Sequence, residues 1–280
     1  MITVDRSTAV NGLRLHYVEW GDASAPPVVL LHGITGHART WDRLAAELAP
    51  ARRIIALDQR GHGDSEAAPD GDYRVAAMAD DLAAFVDQLG LSRFALLGLS
   101  MGGRVAIAYA GDHADRLERL LIVDIGPDIH LAGLERVRGM MAGAPERIES
   151  EADALEYIRR ANPLYDAAEL QRRVTHGLKR GPDGALTWKY DKALRDMMRD
   201  GGRRDTVDLW TPLARIACPT LLVRGALSDI LSPDTTKRML ERLPAARLAE
   251  IAGAGHSVPG DKPESFARAV KAFLDEEKIR

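Results

Sequence analysis

A single cysteine, Cys218, stands in 280 residues, so no intramolecular disulfide can form. Aromatic residues make up only 5% of the chain, and even its longest apolar candidate, around FALLGLSMGG, is interrupted by polar residues. A spanning helix needs roughly 18 to 20 consecutive apolar residues, which excludes a membrane-embedded protein. Neither sign of charge dominates. Lys and Arg number 38 against 41 Asp and Glu, a formal net charge of -3. No basic stripe is left to neutralise a phosphate backbone, so nucleic acid is not an expected partner. The opening MITVDRST puts Asp5 and Arg6 where a signal peptide needs its apolar core; with the lone cysteine, this predicts a reducing, cytoplasmic home. Also missing are a G-x-x-x-x-G-K-[ST] loop, a G-x-G-x-x-G after the first parallel strand, an H-E-x-x-H and any cysteine pair. The spacings of His32, His37 and His62 match no common zinc pattern. Nucleotide, metal and organic cofactors are therefore not expected.

What is present is ordinary globular composition, 46% apolar and 28% charged, in a chain long enough for one large α/β domain with an insertion. Asn11-Gly12 between TAV and LRLHYVEW signals an antiparallel hairpin. Short apolar runs then recur at 28–31, 53–57, 94–99, 120–123, 220–223 and 247–252. Strands apolar on both faces belong in a parallel sheet covered by helices. Between them, Val75, Met78, Leu82, Phe85, Val86 and Leu89 repeat at helical spacing, with Gly90 placed to end the helix. In the last helix, Asp261 is the expected cap, Pro263 fits the first turn, and Phe266, Ala269, Val270, Phe273 and Leu274 form one stripe. The alternation predicts a doubly wound sheet. It lapses from about Pro127 to Thr211, where no strand-like run appears. This predicts a core of residues 1–126 and 212–280 with a helical cap, 127–211, inserted. Met140, Met141, Tyr157, Tyr165, Trp188 and Trp210 in or beside that insertion are candidates to line a substrate pocket, and their apolar character predicts an uncharged, mostly hydrophobic substrate.

The sharpest chemical signal is GLSMGG, residues 98–103, between the strand FALL and the helix-like RVAIAYAG. Glycines flanking Ser100 permit the tight strand-to-helix turn that exposes a nucleophilic hydroxyl. A serine hydroxyl needs a base, and the base needs an acid to orient it. His256, in the glycine-rich AGAGHSVPG, is the candidate base. Asp229, after the strand TLLV, is the favoured acid, with Asp124 at the end of LLIV as its rival. The chain order Ser, Asp, His suits this strand-turn-helix arrangement. The oxyanion donors are then the amide of Met101 and that of Ile34 in HGITG, residues 32–36. His37 and His62 are expected in turn or surface roles, and His113, between Asp112 and Asp115, on a polar surface.

These motifs together resemble the α/β-hydrolase superfamily over essentially the whole chain. HGITG, DQRGHGDS, GLSMGG, RGALSD and GAGH occur in that family's order and at family-like spacing. The resemblance implies an eight-stranded, mostly parallel sheet with its first hairpin antiparallel, and a helical cap after the sixth strand. It also implies Ser100 as nucleophile, His256 as base, Asp229 as acid, and Ile34 and Met101 as amide donors. Relatives that open epoxides or remove halides carry aspartate at the elbow, so Ser100 argues against both. Carbon-carbon bond hydrolases usually show a different oxyanion loop and an asparagine where this chain has Leu99. A carboxylesterase or lactonase acting on a small ester without a cofactor fits best. A non-catalytic ligand receptor on the same fold, a cofactor-free perhydrolase or haloperoxidase, and a carbon-carbon bond hydrolase are the alternatives.

Overall fold

The computed structural model describes residues 3–199 and 207–276. Asn11 and Gly12 take φ of 50° and 80°. Positive φ at both central residues is what a two-residue hairpin turn requires, and it joins β1 (Thr3–Val10) to β2 (Leu13–Trp20). The apolar runs become β3 (Pro27–Leu31), β4 (Arg53–Leu57), β5 (Phe94–Leu99) and β6 (Leu117–Val123). Beyond the inserted segment, which holds β7 (Leu178–Arg180) and β8 (Leu186–Trp188), come β9 (Thr220–Gly225) and β10 (Ala246–Ile251). Eight strands form one sheet in the order β1-β2-β4-β3-β5-β6-β9-β10. The two pairings of β2 are antiparallel and the rest parallel, the expected α/β arrangement.

Alternate residues of each strand feed two separate cores. On one face Val29, Leu31, Leu96 and Ile122 pack with Leu82 and Phe85 of α2 (Val75–Gln88), below α1 (Asp42–Leu48) in the sequence, and with Tyr109 of α3 (Met101–Asp112). On the other, Val28, Leu30, Leu97 and Val223 pack against Leu44 and Leu48 of α1. Helix α2 ends as its glycine requires. Gly90 has φ of 65°, and Leu91 N–H reaches back to the carbonyl of Val86, closing the last turn.

Between β6 and β9 the described residues form α4 (Leu131–Ala142), α5 (Glu151–Ala161), α6 (Ala167–Gly177) and α7 (Lys192–Arg199). Ser150 and Asp166 cap α5 and α6 through their side chains. A small core of Ile158, Tyr165, Leu170, Val174, Leu178 and Leu186 joins them. The segment does contain strands, contrary to the sequence expectation: β7 and β8 pair antiparallel around Pro182-Asp183-Gly184, with Gly184 at φ of 85°. Three-residue strands are too short to display an apolar alternation, but the Pro-Asp-Gly turn was their signal.

The chain then continues through α8 (Trp210–Leu213), α9 (Pro233–Arg242), α10 (Val258–Asp261) and α11 (Pro263–Asp275). Phe266, Val270 and Phe273 of α11 cover the α1 face of the sheet. Asp261 does not cap α11. It ends the short α10, Lys262 occupies the cap position without a side-chain bond, and the Asp261 carboxylate turns instead to the loop carrying His256.

Candidate active site

Ser100 sits between the end of β5 and the start of α3 with φ of 52° and ψ of -117°. A non-glycine residue held there is strained, and such strain concentrates at functional sites. The surrounding glycines make the turn possible. A Cβ on Gly98 would collide with the carbonyl of Gly102, and one on Gly102 would lie 2.5 Å from the carbonyl oxygen of Leu31. The strand and helix therefore pack closer than any side chain would allow.

His256, in the loop after β10, reaches the same edge of the sheet. Its Nε2 lies 2.9 Å from Ser100 Oγ, and its Nδ1 lies 2.8 Å from Asp124 Oδ2. With Nδ1 donating to the carboxylate, Nε2 presents its lone pair to the serine hydroxyl. Asp124 directly follows β6, is wholly buried and has φ of 51°. Its Oδ1 accepts the Gly225 N–H at 2.8 Å, and its Oδ2 also accepts the Ser228 hydroxyl at 2.5 Å. The Asp261 carboxylate accepts the Gly255 N–H at 2.8 Å, fixing the residue before His256. Burial pushes Asp261 up to about 6, with nearby Asp124 adding to the rise.

The expectation for Asp229 is corrected. Its carboxylate, more than one third exposed, is held by Arg136 of α4, with Nε 2.6 Å from Oδ2 and Nη2 2.9 Å from Oδ1. That guanidinium holds Asp229 below the ordinary carboxylate value. The turn after β9 gives the interior Ser228 rather than Asp229: the Ser228 hydroxyl accepts the amides of Ile230 and Leu231 and donates to Asp124. The acid beside His256 is the residue that follows β6.

The HGITG loop lies on the other side of the serine. A Cβ on Gly33 would sit 3.2 Å from Ser100 Cβ, and Gly36 N–H closes a turn onto the Gly33 carbonyl. Thr35 adopts φ of 60° within this turn. Met101 is the first residue of α3, where amides have no acceptor within the helix and the helix dipole is positive.

What anchors the loop was invisible in the sequence reading. His32 Nε2 accepts the Gln59 amide, and Gln59 Nε2 donates to the His32 carbonyl. Asp58, 2% exposed, accepts the Ala38 amide at 2.5 Å, the Asp64 amide at 2.9 Å and a His16 ring nitrogen at 2.7 Å. Burial pushes Asp58 up, but the His16 hydrogen bond, the neighbouring His32 and His37 and the Asp64 amide outweigh it and hold the carboxyl at about 2. The DQRGHGDS turn is thus the brace of the HGITG loop. His37 and His62 belong to the same buried region, not to the surface; burial drives both below the ordinary histidine value, His62 to about 3. His113 stacks on Tyr109 at 4.6 Å.

Of the pocket candidates, Met140, Met141, Tyr157 and Trp188 line a small cavity of about 50 Å³ among α4, α5 and α6, which also meets Thr35. Tyr157 donates to the Met140 carbonyl and Trp188 Nε1 to that of Pro145. Trp188 and Tyr190 stack at 6.0 Å and also border an open groove of about 370 Å³ outside the cavity. Tyr165 and Trp210 do not line the cavity. Tyr165 packs against Gly260, and Trp210 donates to Asp128 and carries the guanidiniums of Arg238 and Arg242 over its ring.

The sequence profile of the alpha/beta hydrolase fold matches residues 26–263. The chain belongs to the α/β-hydrolase family. This α/β-hydrolase is similar to an sn-1-specific diacylglycerol lipase of Mus musculus, at 31% identity over 91% of this chain and 82% of the relative. It is also similar to an esterase of Mycobacterium tuberculosis, at 32% identity over 95% of this chain and 87% of the relative. The crystal structure of E-2-(acetamidomethylene)succinate hydrolase superposes with a TM-score of 0.90 at 25% identity, covering 98% of this chain and 100% of that one. The family match and these relatives identify a hydrolase. Among the described residues no helix is long and apolar enough to cross a membrane.

Proposed function

We propose that this α/β-hydrolase cleaves a small carboxylic ester or lactone through an acyl-enzyme formed on Ser100. The observation that carries the reading is the unbroken chain from Ser100 Oγ through both nitrogens of His256 to Asp124, at 2.9 and 2.8 Å. His256 Nε2 takes the Ser100 proton as Oγ attacks the carbonyl carbon. The carbonyl oxygen becomes an oxyanion, met by the amides of Met101 and Ile34. The carbon–oxygen bond to the leaving group then breaks, and His256 returns its proton to the departing alkoxide. Water repeats the sequence: His256 takes one proton, the hydroxide oxygen bonds to the acyl carbon, and Ser100 leaves with its proton restored. Asp124 keeps the imidazole in the required tautomer and stabilises the imidazolium without itself being protonated.

Residues 127–211 act as a cap in this reading, with Met140, Met141, Tyr157 and Trp188 meeting the substrate. The esterases among the relatives support ester chemistry. The test is initial hydrolysis rates of p-nitrophenyl acetate, butyrate and octanoate by the wild type and by folded Ser100→Ala. The wild type should turn over at least one of them, and Ser100→Ala should lose about 10⁴-fold or more. Undiminished hydrolysis in the variant would remove Ser100 as nucleophile. A wild type that binds esters without turning any over would favour a receptor.

A further inference from the structure

The cavity that meets Thr35 has one charged residue in its lining, Arg173 of α6, and no carboxylate. A guanidinium in an otherwise uncharged lining of thioether, aliphatic, aromatic and small polar side chains attracts an anion, because charge–charge attraction grows as water is excluded. The Arg173 guanidinium is only partly engaged: its Nη2 donates to the Tyr165 hydroxyl at 3.1 Å, and its Nε is ion-paired with the buried Glu169 Oε1 at 3.5 Å without a well-formed hydrogen bond. Glu169 is already engaged through its other oxygen by Arg172. Behind the wall at Gly177, a Cβ would lie 3.7 Å from Nε2 of His37, whose two ring nitrogens are also buried without partners. Burial and the Arg173 charge keep that histidine neutral, so the local positive charge belongs to Arg173. A volume of about 50 Å³ suits a small planar head rather than a bulky one, since one water needs roughly 10–15 Å³ by the same measure.

We infer that Arg173 receives a carboxylate of the substrate while the ester carbonyl lies at Ser100, so that the substrate class is small esters carrying a free carboxylate. Thr35 relates the two ends: it lines the cavity and belongs to the turn that starts at Gly33, where a Cβ would lie 3.2 Å from Ser100 Cβ. A planar guanidinium matches a planar carboxylate through paired N–H donors. The uncharged substrate expected from the apolar residues of the insertion gives way to an amphipathic one, held by Met and aromatic side chains along its body and by Arg173 at its end.

The inference rests on the serine hydrolase reading, and its test separates the two. Two ester pairs are compared in kcat/KM: mono-p-nitrophenyl glutarate with its methyl ester, carrying the carboxylate on the acyl side, and 3-acetoxypropanoate with its methyl ester, carrying it on the alcohol side. In at least one pair the free acid should be preferred about 30-fold or more. Arg173→Met should abolish that preference while leaving the neutral ester within a few-fold, and Arg173→Lys should retain part of it. Equal or better turnover of the neutral ester in both pairs would overturn the assignment, whether or not Arg173→Met folds. If the wild type cleaves none of the four, the p-nitrophenyl acetate, butyrate and octanoate rates decide the ester reading, and titration calorimetry decides the carboxylate site. Glutarate binding to Ser100→Ala that is lost in Ser100→Ala/Arg173→Met upholds it, and absence of glutarate binding to Ser100→Ala overturns it.

Discussion

The sheet and the segment inserted between β6 and β9 are built to different standards of rigidity. Around the sheet, two large apolar cores flank strands that are buried on both faces, and the carboxylates of Asp58, Asp81 and Asp124 are buried with named partners at hydrogen-bond distance. The inserted segment has a much smaller core of its own; Met141 and Leu194 join it to the large sheet core, and its other attachments include the partly exposed ion pairs of Arg43 with Asp166, Lys189 with Asp64 and Arg136 with Asp229. Exposed pairs of that kind contribute about 0–1 kcal/mol each. The difference divides the labour. Reacting groups need fixed geometry and stand on the rigid edge, whereas the side chains proposed to meet the substrate stand on the more adaptable segment.

The largest expected effect lies within the rigid half. Asp124→Asn should lower kcat on any accepted ester by about 10⁴-fold by unsettling the His256 tautomer, while Asp229→Asn, which loses only a half-exposed pair with Arg136, should stay within about threefold. Equal losses in the two variants would erase the distinction between these neighbouring acids. Next comes the brace of the HGITG loop. Asp58→Ala removes a buried carboxylate that fills three donors and should cost about 3 kcal/mol or more in a denaturant titration. The same group gives a pH signature. Its folded-state pKa of about 2 lies below the ordinary 3.8, so its stabilisation is complete above 3.8 and lost as the pH falls towards 2. Asp58→Asn should flatten that acid limb, and an unchanged slope would show that the brace carries no such linkage. The smallest effect on the chemistry belongs to the adaptable half: Trp188→Ala should raise KM about tenfold with kcat little changed and the melting temperature lowered, since it loses the Pro145 hydrogen bond and two ring contacts, which steady-state kinetics beside a thermal melt will check. A collapse of kcat instead would mean that the segment helps to hold the reacting groups.

Much of this was legible in one chain, for physical reasons that differ by residue. Asn11-Gly12, the apolar strands and Gly90 act locally, so their neighbours reveal them. The turn at Ser100 was legible because Gly98 and Gly102 answer a steric demand that only glycine meets. Choosing between Asp124 and Asp229 was different. Both follow strands at the same edge, and the outcome depends on Ser228 turning inward and on Arg136, 93 residues away, capturing Asp229. The roles of Asp58 and Gln59 were equally hidden, since their partners His16, His32 and Ala38 lie in other elements. Arg173 carries no local signal, because its surroundings are made only when α4, α5 and β8 close a cavity around it.

The most direct test of the account is the rate at which a fluorophosphonate labels Ser100, followed by mass spectrometry of the peptide that contains it. The account predicts rapid labelling at Ser100 in the wild type and in Asp229→Asn, and labelling slowed by orders of magnitude in Asp124→Asn. Labelling at another residue, or a slow Asp229→Asn beside a fast Asp124→Asn, would contradict it.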